Sequence, residues 1–310
     1  DRIGRRVHTD RSLGVPVDLG ASWIHGVRDN PVAELAEETG TPWLVANGTR
    51  TTAFDEANLA LSPARVAEIE ATAWQVLRRG LRGSWRRSAD ESVAAAVARE
   101  IDRRGVSAAD LPLVMAEIRR LVEHEFAADL DGLSAWEGDE GVAIRGDEVI
   151  LPDGYDRLLE PLAAVLRIDR EVVLRAVRLR DDGVTLDSTA GPIEAAAVVV
   201  TLPLGVLQAG SVAFDPSLPD AHQAAIASLG MGLLDKVVLR FPARFWGTGA
   251  EWIGFVPPTG RLLEFYDLTP AAGVPLLVGF SAGTPARDQE VFDDDTVVTE
   301  AATLLRAGYA

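Results

Sequence analysis

The chain contains no cysteine, which excludes disulfides and thiolate metal sites. Its four histidines, His8, His25, His124 and His222, are scattered without ligand spacing, so no metal is expected. His124-Glu125 begins like a zinc-protease motif, but position 128 is alanine where the second histidine must fall. There is no Gly-x-Ser-x-Gly elbow, no phosphate-cradling Gly-x-x-x-x-Gly-Lys loop and no complete Gly-x-Gly-x-x-Gly. Those absences remove the commonest nucleophile and nucleotide-hydrolysis chemistries. No apolar run is long enough to span a bilayer, so no membrane partner is expected. Lysine is almost missing too: Lys236 stands alone against 29 arginines. Such a skew suggests a coding bias towards arginine, and a lysine surviving it is a candidate for a task arginine cannot do, such as shifting its pKa. Chance retention is the alternative at this point. Asp1 is not an initiator methionine, which reads as a piece of a longer protein and leaves a leader open.

What is present describes a globular protein. The 310 residues are 47% hydrophobic, enough for a sizeable core in two domains or one elaborate one. A net charge of −17 repels nucleic acid, so no nucleic-acid partner is expected, and it attracts small cations. Taken alone, a merely solvated acidic surface explains that charge better.

Periodicity gives mixed α and β structure. Pro31 to Gly40 fits a short helix. Ser62-Pro63 caps a helix with Val66, Ile69, Ala73 and Leu77 on one face, and Ser88-Ala-Asp-Glu91 has capping-box form ahead of Val93, Val97 and Ile101. A third helix starts at Ser107 or Asp110. Gly132 to Gly154 is acidic and glycine-rich, a loop region. Tyr155 to Leu166 reads as a helix, followed by strands at Val172 to Leu179, Val184 to Leu186 and Ile193 to Leu202. A helix through Ile226 precedes strands at Leu234 to Phe241, Trp252 to Val256, Leu262 to Tyr266 and Leu276 to Phe280. The last helix starts behind Asp293-Asp294-Asp295 and runs to Gly308.

The densest chemistry lies in Asp18-Leu-Gly-Ala-Ser-Trp-Ile-His-Gly26, a strand running into a loop. Its glycines allow close backbone approach to a flat ligand, its indole offers a stacking face, and its histidine is a residue type suited to proton transfer. A tight turn with a core tryptophan is an equal reading of those residues alone. Three stretches then combine: Arg2-Ile-Gly-Arg-Arg-Val-His-Thr9, the Asp18 to Gly26 segment, and Thr201-Leu-Pro-Leu-Gly-Val-Leu207 followed by Leu234-Asp-Lys-Val-Val-Leu-Arg-Phe241 and Arg244-Phe-Trp246. Together they resemble the flavin-dependent amine oxidases, and Gly-Ala-Ser-Trp-Ile-His-Gly is most similar to the polyamine oxidases among them.

The resemblance implies an α/β (α+β mixed) fold, a Rossmann-like FAD-binding domain (residues 1–45 and 146–207) interleaved with a substrate domain (46–145 and 208–310). It implies FAD at Gly4 and Arg6 for the pyrophosphate, Leu19, Gly20, Ala21, Ser22 and Trp23 along the ring, Val173 on the adenine side, and Thr201 and Pro203 beneath the cofactor. Arg5 stands where the family has a glycine. Lys236 matches the lysine that holds a water at flavin N5, and His25 an active-site histidine. The implied partners are a small cationic amine and dioxygen; a cytoplasmic location is expected. Two further flavin segments of the family would fall outside Asp1–Ala310. A monoamine or amino-acid oxidase, and a truncated copy unable to hold FAD, are the alternatives. A histone-demethylase role is disfavoured, because no coiled tower-like insertion and no basic surface are visible.

Overall fold

The computed structural model describes residues 2–4, 6–136 and 144–310, so Arg5 and part of the acidic Gly132 to Gly154 stretch lie outside the described residues. In chain order the elements are β1 (Thr9–Asp10), β2 (Val17–Asp18), β3 (Trp23–Ile24), α1 (Pro31–Glu38), β4 (Leu44–Val45), β5 (Thr51–Ala53), α2 (Pro63–Leu81), α3 (Val93–Arg104), α4 (Leu111–Phe126) and β6 (Val149–Ile150). They continue with α5 (Leu159–Ala164), β7 (Leu174–Arg180), β8 (Gly183–Ser188), β9 (Gly191–Ala195), α6 (Leu204–Gln208), β10 (Ala213–Asp215) and α7 (Asp220–Ser228). The last are β11 (Leu234–Arg240), β12 (Trp252–Gly254), β13 (Glu264–Asp267), α8 (Thr269–Ala272), β14 (Leu276–Ala282), α9 (Gly283–Gln289) and α10 (Asp294–Gly308). The mixed α and β architecture matches the expected fold class.

The chain divides into two compact units: Asp1–Ile3 with Leu162–Met231, and Gly4–Pro161 with Gly232–Ala310. These cuts follow packing and differ from the expected domain boundaries, which follow function.

In the larger unit a five-stranded sheet runs in the order β11-β14-β13-β12-β5, antiparallel except for β12 beside β5. One of its faces carries Val237, Leu239, Ile253, Phe265 and Leu277 against Ala301 and Leu305 of α10. A second cluster packs α2, α3 and α4 through Ile69, Val76, Val97, Val114 and Ile118. Caps set the helix starts: Ser62 accepts from Arg65 N and Asp293 from Thr296 N, as the sequence predicts, and Asn30 accepts from Val32 N ahead of α1.

The capping box at Ser88 is corrected. α3 starts one turn later, with the Ser92 hydroxyl accepting from Ala95 N. Glu91 is drawn instead into ion pairs with Arg87 and Arg99, and Val93 N bonds Leu133 O, so tertiary partners decide between two serines. The sequence reading missed α9, whose Gly283-Thr-Pro start is held by the Asp129 carboxylate through Thr284 N and Oγ1.

The smaller unit holds a four-stranded sheet ordered β10-β7-β8-β9. Among its described residues only Ala176, Val177 and Val184 are buried hydrophobics. The predicted strand Ile193 to Leu202 is corrected to β9, which ends at Ala195. Residues beyond it, including Val199 at 87% exposure, join no strand among the described residues, because β propensity without a ladder partner does not hold an extended segment. No described helix is long and apolar enough to cross a membrane.

Candidate active site

Strand alternation decides where the single lysine goes. β11 pairs along its length with β14, and Val237 and Leu239 enter the sheet core. Lys236 lies on the opposite face with Val238, which packs beside Trp23, Tyr266 and Phe280. Its Nζ donates to Asp18 O (3.0 Å), Gly20 O (2.6 Å) and Ser22 Oγ (2.5 Å), so three ammonium protons meet three acceptors. Burial pushes the ammonium pKa down to about 8 from 10.5, against the pull of the Asp18 carboxylate.

The acceptors belong to a loop fixed from the other side. β1 and β2 pair Thr9 with Asp18, Leu19 N donates to His8 O, and Ala21 N donates to Arg6 O. Gly20 is required by that approach, since a Cβ there would lie 2.0 Å from Arg6 O. The Asp18 carboxylate accepts from Thr9 Oγ1 at 2.5 Å and from Tyr155 N at 3.0 Å, and burial raises its pKa. Trp23 packs edge-on to Tyr266 at 5.3 Å and stacks near Trp252 at 6.3 Å, with Lys236 Nζ 5.9 Å from its ring centre.

Two spaces open beside Lys236. A small cavity of about 30 Å³, bordered by Asp18, Ser22, Trp23 and Tyr266, has room for a water. A cleft of about 840 Å³ borders Leu19, Lys236, Asp10, Asp235, Glu290 and Asp294. Leu19 is 40% exposed, an apolar side chain presented at the edge of an acidic space. Burial and the facing Glu290 raise the pKa of Asp235.

The fold therefore brings Arg6, Leu19 to Trp23 and Lys236 into one neighbourhood. Gly4, at φ +96°, turns the chain ahead of it and has Leu159 Cδ1 where a Cβ would be, 2.5 Å away. His25 sits two residues beyond Trp23 with its side chain 70% exposed and Nδ1 2.6 Å from Glu148 Oε2. Asn30 Nδ2 donates to the carbonyl oxygens of His25 and Gly26, tying that backbone to the start of α1. Glu148 was missed by the sequence reading, hidden in the acidic loop with no pattern of its own.

Val173, Thr201 and Pro203 lie in the smaller unit. Val173 N donates to Thr189 Oγ1 and its carbonyl accepts from Thr189 N, so both of its backbone groups are engaged. Thr201 is exposed, and Pro203 caps the five-residue α6.

This chain belongs to the family described as flavin containing amine oxidoreductase, whose sequence model matches residues 1–310. Among its relatives, polyamine oxidase 4 of Oryza sativa subsp. japonica is 31% identical over 314 residues, covering 96% of this chain and 64% of that protein. Polyamine oxidase 2 of Arabidopsis thaliana is 32% identical over 325 residues, 99% of this chain and 65% of its own length. Human lysine-specific histone demethylase 2 is 29% identical, with 99% of this chain and 39% of that protein covered. The chain thus spans just under two thirds of the length of the two polyamine oxidases. A solved structure of a putrescine oxidase triple mutant, from a redesign of its cofactor binding, shares the fold. It superposes with a TM-score of 0.75 at 16% identity, covering 100% of this chain and 74% of that one.

With the family comes its flavin cofactor, FAD. The residues present fit it: an exposed guanidinium at Arg6, a backbone held close by Gly20, and a cleft edged by Leu19 and Lys236 offer a cation for phosphate and an apolar wall for a ring.

Proposed function

We propose that this chain carries the substrate-oxidising part of an FAD-dependent amine oxidase acting on polyamine-type amines. The observation that carries the reading is the Lys236 grip on Asp18, Gly20 and Ser22, which joins the two stretches that the resemblance assigns to the flavin ring. The likeness to two plant polyamine oxidases supports the substrate class. FAD, when bound, supplies the acceptor for the hydride leaving the carbon next to nitrogen and hands the electrons to dioxygen, giving hydrogen peroxide; water then hydrolyses the imine to aldehyde and amine.

The protein's share is binding, orientation and proton handling. Carboxylates of Asp10, Asp235, Glu290 and Asp294 around the cleft attract a cationic amine. A polyamine must lose a proton from the reacting nitrogen before its lone pair can assist. His25 is the base assigned to that step: a neutral imidazole whose Nδ1–H donates to Glu148 leaves Nε2 free to accept. Lys236 is assigned to the water beside the reacting centre: the small cavity it borders has space for one, and the ammonium would hold it by releasing one of its bonds to Asp18, Gly20 or Ser22. The segments 1–45 and 146–207 are proposed as the FAD-binding share, with Val173, Thr201 and Pro203 serving the cofactor.

The test is anaerobic mixing of the flavin-loaded protein with spermine, spermidine, putrescine, benzylamine and an L-amino acid. Bleaching of the flavin by the polyamines, and peroxide on admitting air, is the expected result. Bleaching by benzylamine or the amino acid alone would move the substrate class, and a protein that stays colourless after FAD loading would sink the reading.

A further inference from the structure

We infer that Ser22 is the positioning residue for Lys236, its hydroxyl being the one side-chain corner of a three-acceptor cage that fixes where the ammonium points. The other two corners are the Asp18 and Gly20 carbonyls, held in place by the β1–β2 pairing and by the approach of Gly20 to Arg6. Ser22 Oγ lies 3.0 Å from Asp18 O and 3.1 Å from Gly20 O, so its proton goes to one of these carbonyls while a lone pair takes the lysine's third proton. The network is closed: every proton of the ammonium and of the hydroxyl has an acceptor.

The cage discriminates between protonation states. A neutral amine has two protons and a lone pair, and that lone pair would face an oxygen. Hydrogen bonding thus favours the charged form while burial opposes it. The other groups facing Lys236 are the Asp18 carboxylate from β2 and the Tyr266 phenol from β13, which border the small cavity, with Asp10, Asp235, Glu290 and Asp294 around the cleft. None of these six is hydrogen-bonded to Nζ, so the Ser22 hydroxyl is the group whose removal changes the cage directly. What the positioning is for rests on the proposed placement of Lys236 beside the flavin; the cage itself does not.

Because the chain has one lysine, lysine labelled with ¹³C and ¹⁵N gives a single side-chain resonance to follow through pH in the flavin-loaded protein. In the wild type its ammonium protons should exchange slowly with water, and Ser22→Ala should lower the titration midpoint by about one pH unit. Ser22→Thr, which restores a hydroxyl, should return it. An unmoved midpoint in Ser22→Ala, or wild-type exchange as fast as in free lysine, would overturn the inference, and the wild-type measurement decides even if the alanine variant does not fold. A shifted midpoint with unchanged flavin reduction by spermidine would leave the cage standing and remove Lys236 from the chemistry.

Discussion

Lys236 stands on a five-stranded sheet with a buried apolar cluster on each face, and the loop it grips lies against that sheet, whereas Val173 and Thr201 stand on a unit with three buried hydrophobics among its described residues. Each unit's share of the expected site residues is therefore fixed by different physics. On the sheet, burying an ammonium without partners is costly, so the chain brings two carbonyls and a hydroxyl to it and the geometry is over-determined. On the smaller unit the backbone of Val173 is bonded locally to Thr189, and the side chains of Val173 and of Val199 and Val200 ahead of Thr201 are exposed. Side-chain geometry around Lys236 is set by packing and a filled hydrogen-bond set; around Val173 and Thr201 few buried contacts constrain it.

The largest effect that would sharpen this contrast is on chemistry. Lys236→Met keeps the side-chain bulk and removes the charge, and it should slow flavin reduction by spermidine by about 10²- to 10⁴-fold while retaining bound FAD. Turnover near wild type would take the lysine out of the mechanism.

Stability comes next. Phe265→Ala, at a fully buried position packed edge-on to Phe255, should cost about 3–5 kcal/mol in urea unfolding, and Val199→Ala no more than about 0.5 kcal/mol. Equal costs would erase the distinction between the units.

A smaller effect follows from pH. The folded state releases the Lys236 proton near pH 8 and the unfolded chain holds it to 10.5, so between those values the unfolded state binds more protons. Wild-type stability measured relative to Lys236→Met should then rise by about 2 kcal/mol between about pH 7.5 and about pH 10. A flat difference would mean that the ammonium is not desolvated.

The smallest effect belongs to the exposed pair. His25→Ala should reduce kcat/KM for spermine and spermidine by about two- to fivefold, well short of the loss of a sequestered base, because a side chain 70% exposed leaves bulk water able to take the amine's proton. An unchanged kcat/KM across both substrates and their acetylated forms would free His25 of any role.

Much of this architecture is legible in sequence because it depends on local rules. Ser62 and Asp293 announce helix starts by residue type alone, and the alternation of Val237 and Leu239 turns Lys236 to the other face. The rest depends on partners distant in the chain. Ser88 and Ser92 are equally good caps until Arg87, Arg99 and Leu133 are placed around them. Residues after Ala195 have strand composition but no ladder. Two of the three lysine acceptors are backbone carbonyls, which have no residue identity to read, and only the resemblance connected Lys236 to Asp18–Gly26. Glu148 meets His25 through the pairing of β6 with β3, a contact written in no local pattern.

Gly20 has a consequence for telling working copies of this protein from dead ones. Any larger residue there would push the loop off Arg6 and swing away the carbonyl that receives Lys236, while leaving the lysine codon untouched. A paralogue could thus keep its lysine, histidine and tryptophan and still be silent. The diagnostic letter would be the one with no side chain.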